Sequence, residues 1–360
     1  MKLLITLDFP PEKGGIQRYL DSIVRHTFSP DDNIFIGCNR IFPLDNHLDS
    51  AFPCPVHRIH SPCYIANKKW SLLPLFFMVI VHIIRHRCKP TIYAGNIFTA
   101  LIPGIISFIL PVHYHVYTYG TELLPLIHKK SLFGLFARKS LQHADVIYYL
   151  TGATRELLEH CIGSLPSFTR FPPKIEKPSF PLLFRKYSNG EINLLSVGRL
   201  IPHKGHRVLL DSVSILPEGI SWKLTLIGNG PEYELLNSII TRNGLENCIK
   251  IETDCSDEQL HHFYEQGDIF ILPSLTANSG IEGFGIVLLE AMAHGNAIIA
   301  SKSGGIIEVF EGEEQAALLI PENEPVTLKN AIVRLIQNPA LRKQLIYNGR
   351  RLLEERYVWN

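Results

Sequence analysis

The sequence predicts an α/β protein built from two doubly wound parallel-sheet domains with a cleft between them. Three observations support this prediction: short β-type runs alternate with helical stretches in both halves, prolines cluster between the halves, and each half has a glycine-containing loop directly after its first strand. The 360 residues fit two domains of roughly 150 to 200 residues. The 46% apolar and 19% charged content is that of a globular protein and excludes a disordered chain.

The first half begins with a strand. Residues 1–8 contain one lysine and a short apolar run that Asp8 interrupts, so this segment is too brief for a signal peptide and is typical of a strand. Strands are predicted at residues 3–7, 33–37, 91–94, 112–118 and 146–150. The helical stretches between them predict a parallel sheet that is covered on both faces.

A predicted linker follows, because five prolines stand close together. They are Pro166, Pro172, Pro173, Pro178 and Pro181. Proline has no backbone N–H to donate, so this segment is a poor helix or central strand. We expect a first domain at 1–170, a linker at 171–188, a second domain at 189–345 and a C-terminal helix at 346–360 that returns towards the first domain.

The alternation resumes after the linker. Strands are predicted at residues 192–197, 223–227, 249–252, 269–272 and 297–301, and helices at 207–216, 231–242 and 285–293. The seven cysteines are scattered and form no C-x-x-C pair, which indicates neither a disulfide framework nor a structural zinc site. A reducing cytoplasm is the expected location.

The formal net charge of +1 hides an asymmetry between the halves. Residues 1–180 carry 19 Lys and Arg against 12 Asp and Glu, whereas residues 181–360 carry 16 against 22. The first half also holds eleven of the sixteen histidines, which gain charge at mildly acidic pH. A basic half predicts an anionic partner, either a membrane surface or a phosphorylated acceptor, although an uneven scatter of solvated charge gives the same counts.

Two hydrophobic stretches, residues 72–84 and 97–112, are shorter than the roughly 20 residues that a membrane-spanning helix needs. The basic residues that flank the first stretch are Lys68, Lys69, Arg85, Arg87 and Lys89. His82 lies inside the first stretch, and Pro103 and Gly104 interrupt the second. We expect core helices, with an in-plane contact to lipid by one of the two as the alternative.

The glycine loops are the first candidate binding elements. They occupy residues 10–16, with Gly14 and Gly15, and residues 197–205. Ligands of open α/β sheets bind at the carboxyl ends of strands, where glycines let backbone amides approach a phosphate. In the second loop, Arg199 and Lys204 suit a diphosphate, the first by forked hydrogen bonds and the second as a point charge. A plain turn and solvated surface cations are the structural alternatives.

A second motif lies at residues 281–295. The turn at residues 283–285 is predicted at the start of a helix, where free N–H groups and the helix dipole favour an anion. Glu290 is a carboxylate inside a mostly apolar helix, and the paired hydroxyls of a ribose suit it. Glu282 precedes the turn and is placed to accept hydrogen bonds from a sugar beyond the phosphates. A helix-end charge and an exposed helix residue explain each glutamate singly, but not the pair together with the turn.

Together these motifs resemble the retaining glycosyltransferases of the GT-B fold, in the large family four known as glycosyl transferases group 1. The matching segments are Gly14-Gly15, residues 197–200 with Lys204-Gly205, residues 227–231, the Glu282 and Glu290 pair in Glu-x7-Glu spacing, and Ser303-Gly304-Gly305 with Glu308. The resemblance covers most of the chain. It implies two Rossmann-like domains, a nucleotide-diphosphate-sugar donor held mainly by the second and an acceptor held mainly by the first.

The resemblance also implies roles for individual residues. Glu290 would bind the ribose, Arg199 and Lys204 the diphosphate, and Glu282 the donor sugar, with the last three as the catalytic residues. The other implied donor-site residues are Gly15, Gly198, Gly228, Gly283, Phe284, Gly285 and Ile286. The resemblance implies no cofactor and no obligatory metal, and the chain has no Asp-x-Asp placed to hold one.

Three departures from the family pattern stand out. Tyr119 occupies the place of a histidine in the element Tyr119-Gly120-Thr121-Glu122, so Tyr119 and Glu122 are expected contacts to the sugar or acceptor, without imidazole chemistry. Residues 276–280 lengthen the approach to Glu282. The sequence ends at residues 357–360, where relatives continue into a helix, which indicates either truncation or an unusually short helix.

The expected function is that of a retaining, metal-independent hexosyltransferase in cell-surface polysaccharide or glycolipid synthesis. The alternatives are a catalytically weak GT-B binding or partner subunit and a transferase acting on a soluble sugar acceptor. A dinucleotide-dependent oxidoreductase is disfavoured because neither loop contains G-x-G-x-x-G. The basic first half favours a lipid-linked saccharide acceptor and a peripheral position on the inner face of a membrane. No nucleic-acid partner is expected.

Overall fold

The computed structural model describes residues 1–37, 49–59, 71–87, 89–128, 132–163, 167–179, 190–277 and 280–359. The chain divides into two compact units, Met1–Pro173 and Lys174–Asn360. Each unit is a parallel sheet with helices on its faces. The predicted fold class of two doubly wound parallel-sheet domains is confirmed.

The first unit contains a seven-stranded sheet. Its strands are β1 (Lys2–Thr6), β2 (Asn33–Gly37), β3 (Val56–Ile59), β4 (Thr91–Ala94), β5 (His113–Tyr117), β6 (Val146–Tyr149) and β7 (Ser167–Arg170). Its helices are α1 (Gly15–Thr27), α2 (Leu72–His86), α3 (Leu101–Ile106), α4 (Leu124–His128), α5 (Leu132–Gln142) and α6 (Gly152–Ile162), with a 3₁₀ turn at Thr121–Leu123. The strand order is β3-β2-β1-β4-β5-β6-β7, and all pairs are parallel.

The second unit contains a six-stranded sheet. Its strands are β8 (Ile192–Val197), β9 (Trp222–Ile227), β10 (Ile249–Glu252), β11 (Ile269–Leu272), β12 (Ala297–Ser301) and β13 (Leu318–Ile320). Its helices are α7 (His206–Val213), α8 (Tyr233–Arg242), α9 (Asp257–Gln266), α10 (Ile286–Ala293), α11 (Ile306–Val309), α12 (Pro325–Gln337) and α13 (Pro339–Arg356), with 3₁₀ turns at Pro202–Lys204 and Glu314–Ala316. The parallel strands run in the order β10-β9-β8-β11-β12-β13.

The connections in both sheets reverse direction at one point, between β1 and β4 in the first unit and between β8 and β11 in the second. At such a switch point the loops from two neighbouring strands diverge to opposite faces and leave a crevice at the carboxyl edge. Buried aliphatic strand residues hold each sheet against its helices, as at Leu3 and Ile5 in the first core and Leu194 and Ile271 in the second. The ends of these rigid strands fix where the loops begin.

Three edge strands, β3, β7 and β13, were not predicted from the sequence. Strand β3 carries His57 and Arg58, and all four of its residues are half-buried. Strand β7 is Ser-Phe-Thr-Arg and is mostly exposed. An edge strand pairs on one side only and needs less apolar surface, so β3 and β7 lack the continuous hydrophobic run of a central strand. Strand β13 is apolar but only three residues long.

The boundary between the units lies between Pro173 and Lys174, inside the predicted linker of residues 171–188. Ile175 pairs with Val358, so the chain just after the boundary packs on the end of the second unit. Of that predicted linker, residues 180–188 lie outside the described part. The predicted end of the second domain at residue 345 falls inside α13, which runs without a break to Arg356. This helix packs on the rest of the second unit, where Gly349 lies against Met292.

The two hydrophobic stretches form α2 and the segment around α3. Among the described residues, no helix has the length and apolar character needed to cross a membrane. Four of the seven cysteines are described, and all four are free thiols: Cys54, Cys161, Cys248 and Cys255. Lys68, Lys69 and the other three cysteines lie outside the described residues.

Candidate functional site

The centre of the candidate site is an ion pair at the switch point of the second sheet. Lys204 closes the loop after β8, and Glu282 lies in the loop after β11, the neighbouring strand. The Lys204 Nζ atom lies 2.5 Å from Glu282 Oε2, and the Ser274 hydroxyl donates to the same oxygen at 3.0 Å. The two charged side chains are only 15% and 9% exposed. A cation and a carboxylate are thus held together at the edge where open sheets bind ligands.

The charge of Glu282 is set by competing effects. Burial disfavours the carboxylate, whereas the Lys204 ammonium and the Ser274 hydroxyl favour it. The cation and hydrogen bonds outweigh burial and hold the pKa of Glu282 below its usual value. His203, which neighbours the pair and is buried, has a lowered pKa because of burial and the Lys204 charge. The site therefore presents an ionised carboxylate and a neutral imidazole at neutral pH.

Close backbone packing fixes the two loops that carry this pair. Gly205 has a φ of 69°, and a side-chain carbon there would lie 1.9 Å from the carbonyl oxygen of Pro273. Only glycine lets the loop after β8 approach the loop after β11 so closely. The Glu282 carbonyl accepts a hydrogen bond from the N–H of Gly305 at 2.8 Å, so the matched segment Ser303–Gly304–Gly305 holds the backbone of Glu282.

Gly228 has a supporting position beneath the loop after β8. A side-chain carbon at Gly228, whose φ is 152°, would lie 1.9 Å from the carbonyl oxygen of Gly198. Leu200 N–H donates to the Asn229 carbonyl at 2.9 Å in the same contact. Gly198 and Gly228 thus pack against each other and set the path of the chain into Arg199, whose side chain is exposed.

Helix α10 begins directly after the glycine turn. Gly285 occupies the N-cap position. The structure describes every residue of the first turn, and none of them is acidic. The first N–H groups of a helix have no partner within it and attract anions. Phe284 is 2% exposed and packs on the Tyr357 ring at 5.5 Å, so its side chain belongs to the core and only its backbone is placed for a ligand.

Glu290 lies one turn further along α10 and is half-buried. The Tyr264 hydroxyl donates to Glu290 Oε2 at 2.7 Å. The Tyr264 ring stacks on His294, whose Nδ1 contacts the Glu290 carbonyl at 2.7 Å. The Tyr264 hydroxyl therefore orients the Glu290 carboxylate.

A second polar cluster lies at the switch point of the first sheet. Asp8 follows β1 and Asn96 follows β4, and the Asn96 amide donates to Asp8 Oδ2 at 2.9 Å. The Tyr119 hydroxyl donates to the Gly95 carbonyl at 2.6 Å and is buried, so its proton is used inside the first unit. The Tyr119 N–H donates to Glu122 Oε1 at 2.6 Å.

Glu122 has an unusual ionisation. Burial raises its pKa to about 7, because the backbone N–H groups that favour the carboxylate do not compensate fully and nearby Asp8 adds repulsion. A carboxyl group that titrates near neutrality at a sheet switch point is a candidate for binding or proton transfer at an acceptor hydroxyl.

The predicted site residues therefore separate into two groups. The structure brings together Lys204 and Glu282 with the loops of Gly198 and Gly283, and it places α10 with Gly285, Ile286 and Glu290 in the same unit. Gly15, at the start of α1, lies in the first unit with Tyr119 and Glu122. Within the described ranges, no three His, Cys, Asp or Glu side chains converge as a metal site.

Sequence reasoning missed four polar residues at these sites. Ser274 and Tyr264 contact the two glutamates, and Asp8 and Asn96 form the cluster in the first unit. The available signal was position, because Asp8, Asn96 and Ser274 each stand within two residues of a strand end. Tyr264 lies inside α9 and gave no such signal.

The two doubly wound units define the class, which is the GT-B architecture. The chain is similar in fold to sucrose-phosphate synthase from Thermosynechococcus elongatus, with a TM-score of 0.82 and 18% identity over 99% of this chain and 95% of that one. It is also similar to Anabaena Alr3699/HepE in complex with UDP-glucose, with a TM-score of 0.79 and 21% identity over 99% and 96% of the two chains.

Residues 184–352 match the family model described as glycosyl transferases group 1. The match lies in the second unit, where it confirms the resemblance to that family that the motifs predicted. A GDP-mannose-dependent alpha-(1-6)-phosphatidylinositol monomannoside mannosyltransferase of Mycolicibacterium smegmatis is 22% identical over 99% of this chain and 94% of its own length. The amylovoran biosynthesis glycosyltransferase AmsK of Erwinia amylovora is 34% identical over 46% of this chain, and the match covers 41% of AmsK.

Proposed function

We propose that this protein is a retaining glycosyltransferase that moves a sugar from a nucleotide-diphosphate donor to an acceptor hydroxyl. The observation that carries the proposal is the buried Lys204–Glu282 pair at the switch point of the second sheet. A cation there suits the diphosphate, and a carboxylate beside it suits the sugar hydroxyls. The family model that matches residues 184–352 supports the same reaction class.

The proposed reaction breaks the bond between the anomeric carbon and the diphosphate oxygen and forms a bond from that carbon to the acceptor oxygen. Negative charge grows on the leaving diphosphate as its bond breaks. Arg199, Lys204 and the first N–H groups of α10 stabilise that charge, which lowers the barrier. The acceptor proton passes to a donor phosphate oxygen, and the new bond forms on the face that the leaving group vacates.

Retention and independence of a metal are the finer parts of this proposal, and the family resemblance supports both. Glu282 is already bound to Lys204 and Ser274, so it is a hydrogen-bond acceptor for the sugar rather than a nucleophile. In the same proposal, Glu290 binds the ribose and Tyr264 orients it. Phosphate charge is then neutralised by side-chain cations and helix amides.

We further propose an acceptor of the envelope polysaccharide or glycolipid type. The mannosyltransferase relative is named for a phosphatidylinositol monomannoside and AmsK for amylovoran biosynthesis. The basic first half of this chain favours an acceptor at an anionic membrane surface over a free sugar.

One observation favours a second candidate, a subunit that binds the donor without efficient transfer. Tyr119 replaces the histidine of the family, and its hydroxyl donates to the Gly95 carbonyl. It has no proton free to give to a sugar in this arrangement. Donor binding without turnover or hydrolysis would favour this second function.

A donor screen tests the main proposal. Sugar nucleotides of UDP, GDP and ADP are compared for the increase they cause in the melting temperature, because a ligand of the folded state stabilises it. Arg199→Ala should abolish that increase and leave the melting temperature of the free protein unchanged, since the Arg199 side chain is exposed. Arg334→Ala, an exposed arginine on α12, is the matched control. Equal donor responses in both variants would contradict the diphosphate assignment.

A further inference from the structure

Three neighbouring helices of the first unit are apolar on both sides. Helices α2, α3 and α5 pack side by side on one face of the first sheet. Their inward side chains, among them Val79, Ile106 and Leu141, lie in the core under the sheet. A helix that covers a sheet on one side normally presents polar residues on the other.

The outward sides of these helices are apolar instead. Ten of the sixteen exposed large apolar side chains in the described residues lie on α2, α5, or α3 and the turn after it, each between 48% and 80% exposed. Examples are Phe77, Val81, Phe108, Leu132 and Phe136. We call this surface the apolar face. The other six are scattered over the rest of the chain, which is normal for a soluble surface, whereas a contiguous patch marks a site of interaction.

The charge around the apolar face is positive. Between residues 50 and 145 the chain has ten Lys and Arg and two carboxylates, the half-buried Glu122 and Asp145, which pairs with His113. Arg85, Arg87 and Lys89 are exposed at the end of α2, and Lys139 is exposed in the last turn of α5. Helices that connect parallel strands run in one direction, so these basic ends lie along the same edge of the helix layer.

We propose that the apolar face inserts into an anionic lipid bilayer, with its basic edge at the headgroups. Apolar side chains enter the boundary between headgroups and acyl chains, and each nearby cation adds attraction to anionic lipid. A second copy of the chain fits less well, because a twofold contact would press two basic surfaces together. The charge complementarity selects lipid as the occupant.

The position of the apolar face also bears on the acceptor, and this step rests on the proposed function. Leu132 opens α5, and the start of such a helix lies at the carboxyl edge of the sheet. Asp8 and Asn96 lie at that same edge. A lipid-linked acceptor held in the bilayer would therefore present its saccharide beside this polar cluster.

Vesicle sedimentation with matched variants tests the proposal. The test variant is Val81→Glu in α2, and its matched control is Val326→Glu in α12 of the second unit. The two valine side chains are similarly exposed, at 58% and 56%. Neutral vesicles contain phosphatidylcholine alone, and anionic vesicles contain phosphatidylcholine with about 30 mol% phosphatidylglycerol. Burial of one such side chain corresponds to about tenfold or more in affinity. Val81→Glu and Phe108→Glu should each lower binding to anionic vesicles by at least about tenfold, and Val326→Glu should leave it unchanged.

Other outcomes would overturn the proposal. These are no binding to either vesicle, equal binding to neutral and anionic vesicles, equal loss in Val81→Glu and Val326→Glu, or a stable dimer in solution that Val81→Glu dissociates. The thermal response to sugar nucleotides is measured on the same variants. If a variant loses vesicle binding but its melting temperature still rises with the sugar nucleotide, the apolar face is separate from the transferase site. If the protein binds vesicles but no sugar nucleotide raises its melting temperature, only the proposed function is refuted.

Discussion

Lys204 and Glu282 are 78 positions apart in the chain and form a largely buried ion pair, because their loops follow neighbouring strands β8 and β11. The proposed diphosphate cation and the proposed sugar carboxylate are therefore in direct contact. Each side chain compensates the charge of the other in a place that water reaches poorly. Their roles in binding and in stability are linked.

The first prediction concerns this linkage. Lys204→Ala should lower the free energy of unfolding by about 2 to 4 kcal/mol, because it leaves the buried carboxylate of Glu282 without its cation. In the double variant Lys204→Ala/Glu282→Gln, the loss of unfolding free energy should be smaller than the sum of the losses in the two single variants. Denaturant unfolding of the four proteins measures this coupling. Lys223→Ala, which breaks an exposed pair with Glu191, is the control and should cost about 1 kcal/mol or less.

The second prediction separates the two glutamates of the donor site. Glu290→Gln should weaken binding of a sugar-free nucleoside diphosphate, because its proposed partner is the ribose. Tyr264→Phe should weaken the same binding by less, since it removes only the hydroxyl that orients Glu290. Glu282→Gln should retain the nucleoside diphosphate and impair sugar transfer. Calorimetric titration with the nucleoside diphosphate measures the affinity of all three variants. An equal loss of affinity in Glu282→Gln and Glu290→Gln would refute the separate roles of the two glutamates.

The third prediction concerns the packing beneath the loop after β8. Gly228→Ala should destabilise the protein by about 3 kcal/mol or more and reduce donor binding, because its new side-chain carbon would collide with the Gly198 carbonyl. Gly219→Ala is the matched control, since its φ is 85° but nothing lies within 4 Å of the added carbon. It should cost only the left-handed strain of about 1 kcal/mol. Equal unfolding midpoints for the two variants would contradict the proposed collision.

The fourth prediction concerns pH. The pKa of Glu122 is raised to about 7 by burial, so between its usual value and 7 the folded state binds a proton that the unfolded state has lost. The stability from neutral Glu122 is therefore full below its unfolded pKa and is lost as pH rises from that value through the folded pKa of about 7, by about 3 kcal/mol in total. Glu122→Gln should lack this loss between pH 5 and 8. The free energy of unfolding is measured against pH for the wild-type protein and Glu122→Gln. Parallel curves would contradict the raised pKa of Glu122.

The local pattern of the sequence determined the alternation of strands and helices, the proline-rich boundary and the motifs at the strand ends. These features depend on residues close together in the chain, such as the run at β8 and the glycine turn before α10. Strand β7 escaped prediction because a strand with a single neighbour needs no continuous apolar run. Periodicity predicted core helices for α2 and α3, with a contact to lipid by one of them as the alternative. It did not decide between the two, because a helix that is apolar all round does not indicate which side faces the sheet.

Only the tertiary structure decided which strand ends are neighbours. Strand β11 lies beside β8, although β9 and β10 come between them in the chain, and this order brings Lys204 to Glu282 and Ser274. The same reversal in the first sheet brings Asn96 to Asp8. Strand order follows from packing the whole set of helices on both faces of a sheet, which no local pattern encodes. The residue types were readable from the sequence, whereas their pairing and pKa values depend on contacts between distant segments.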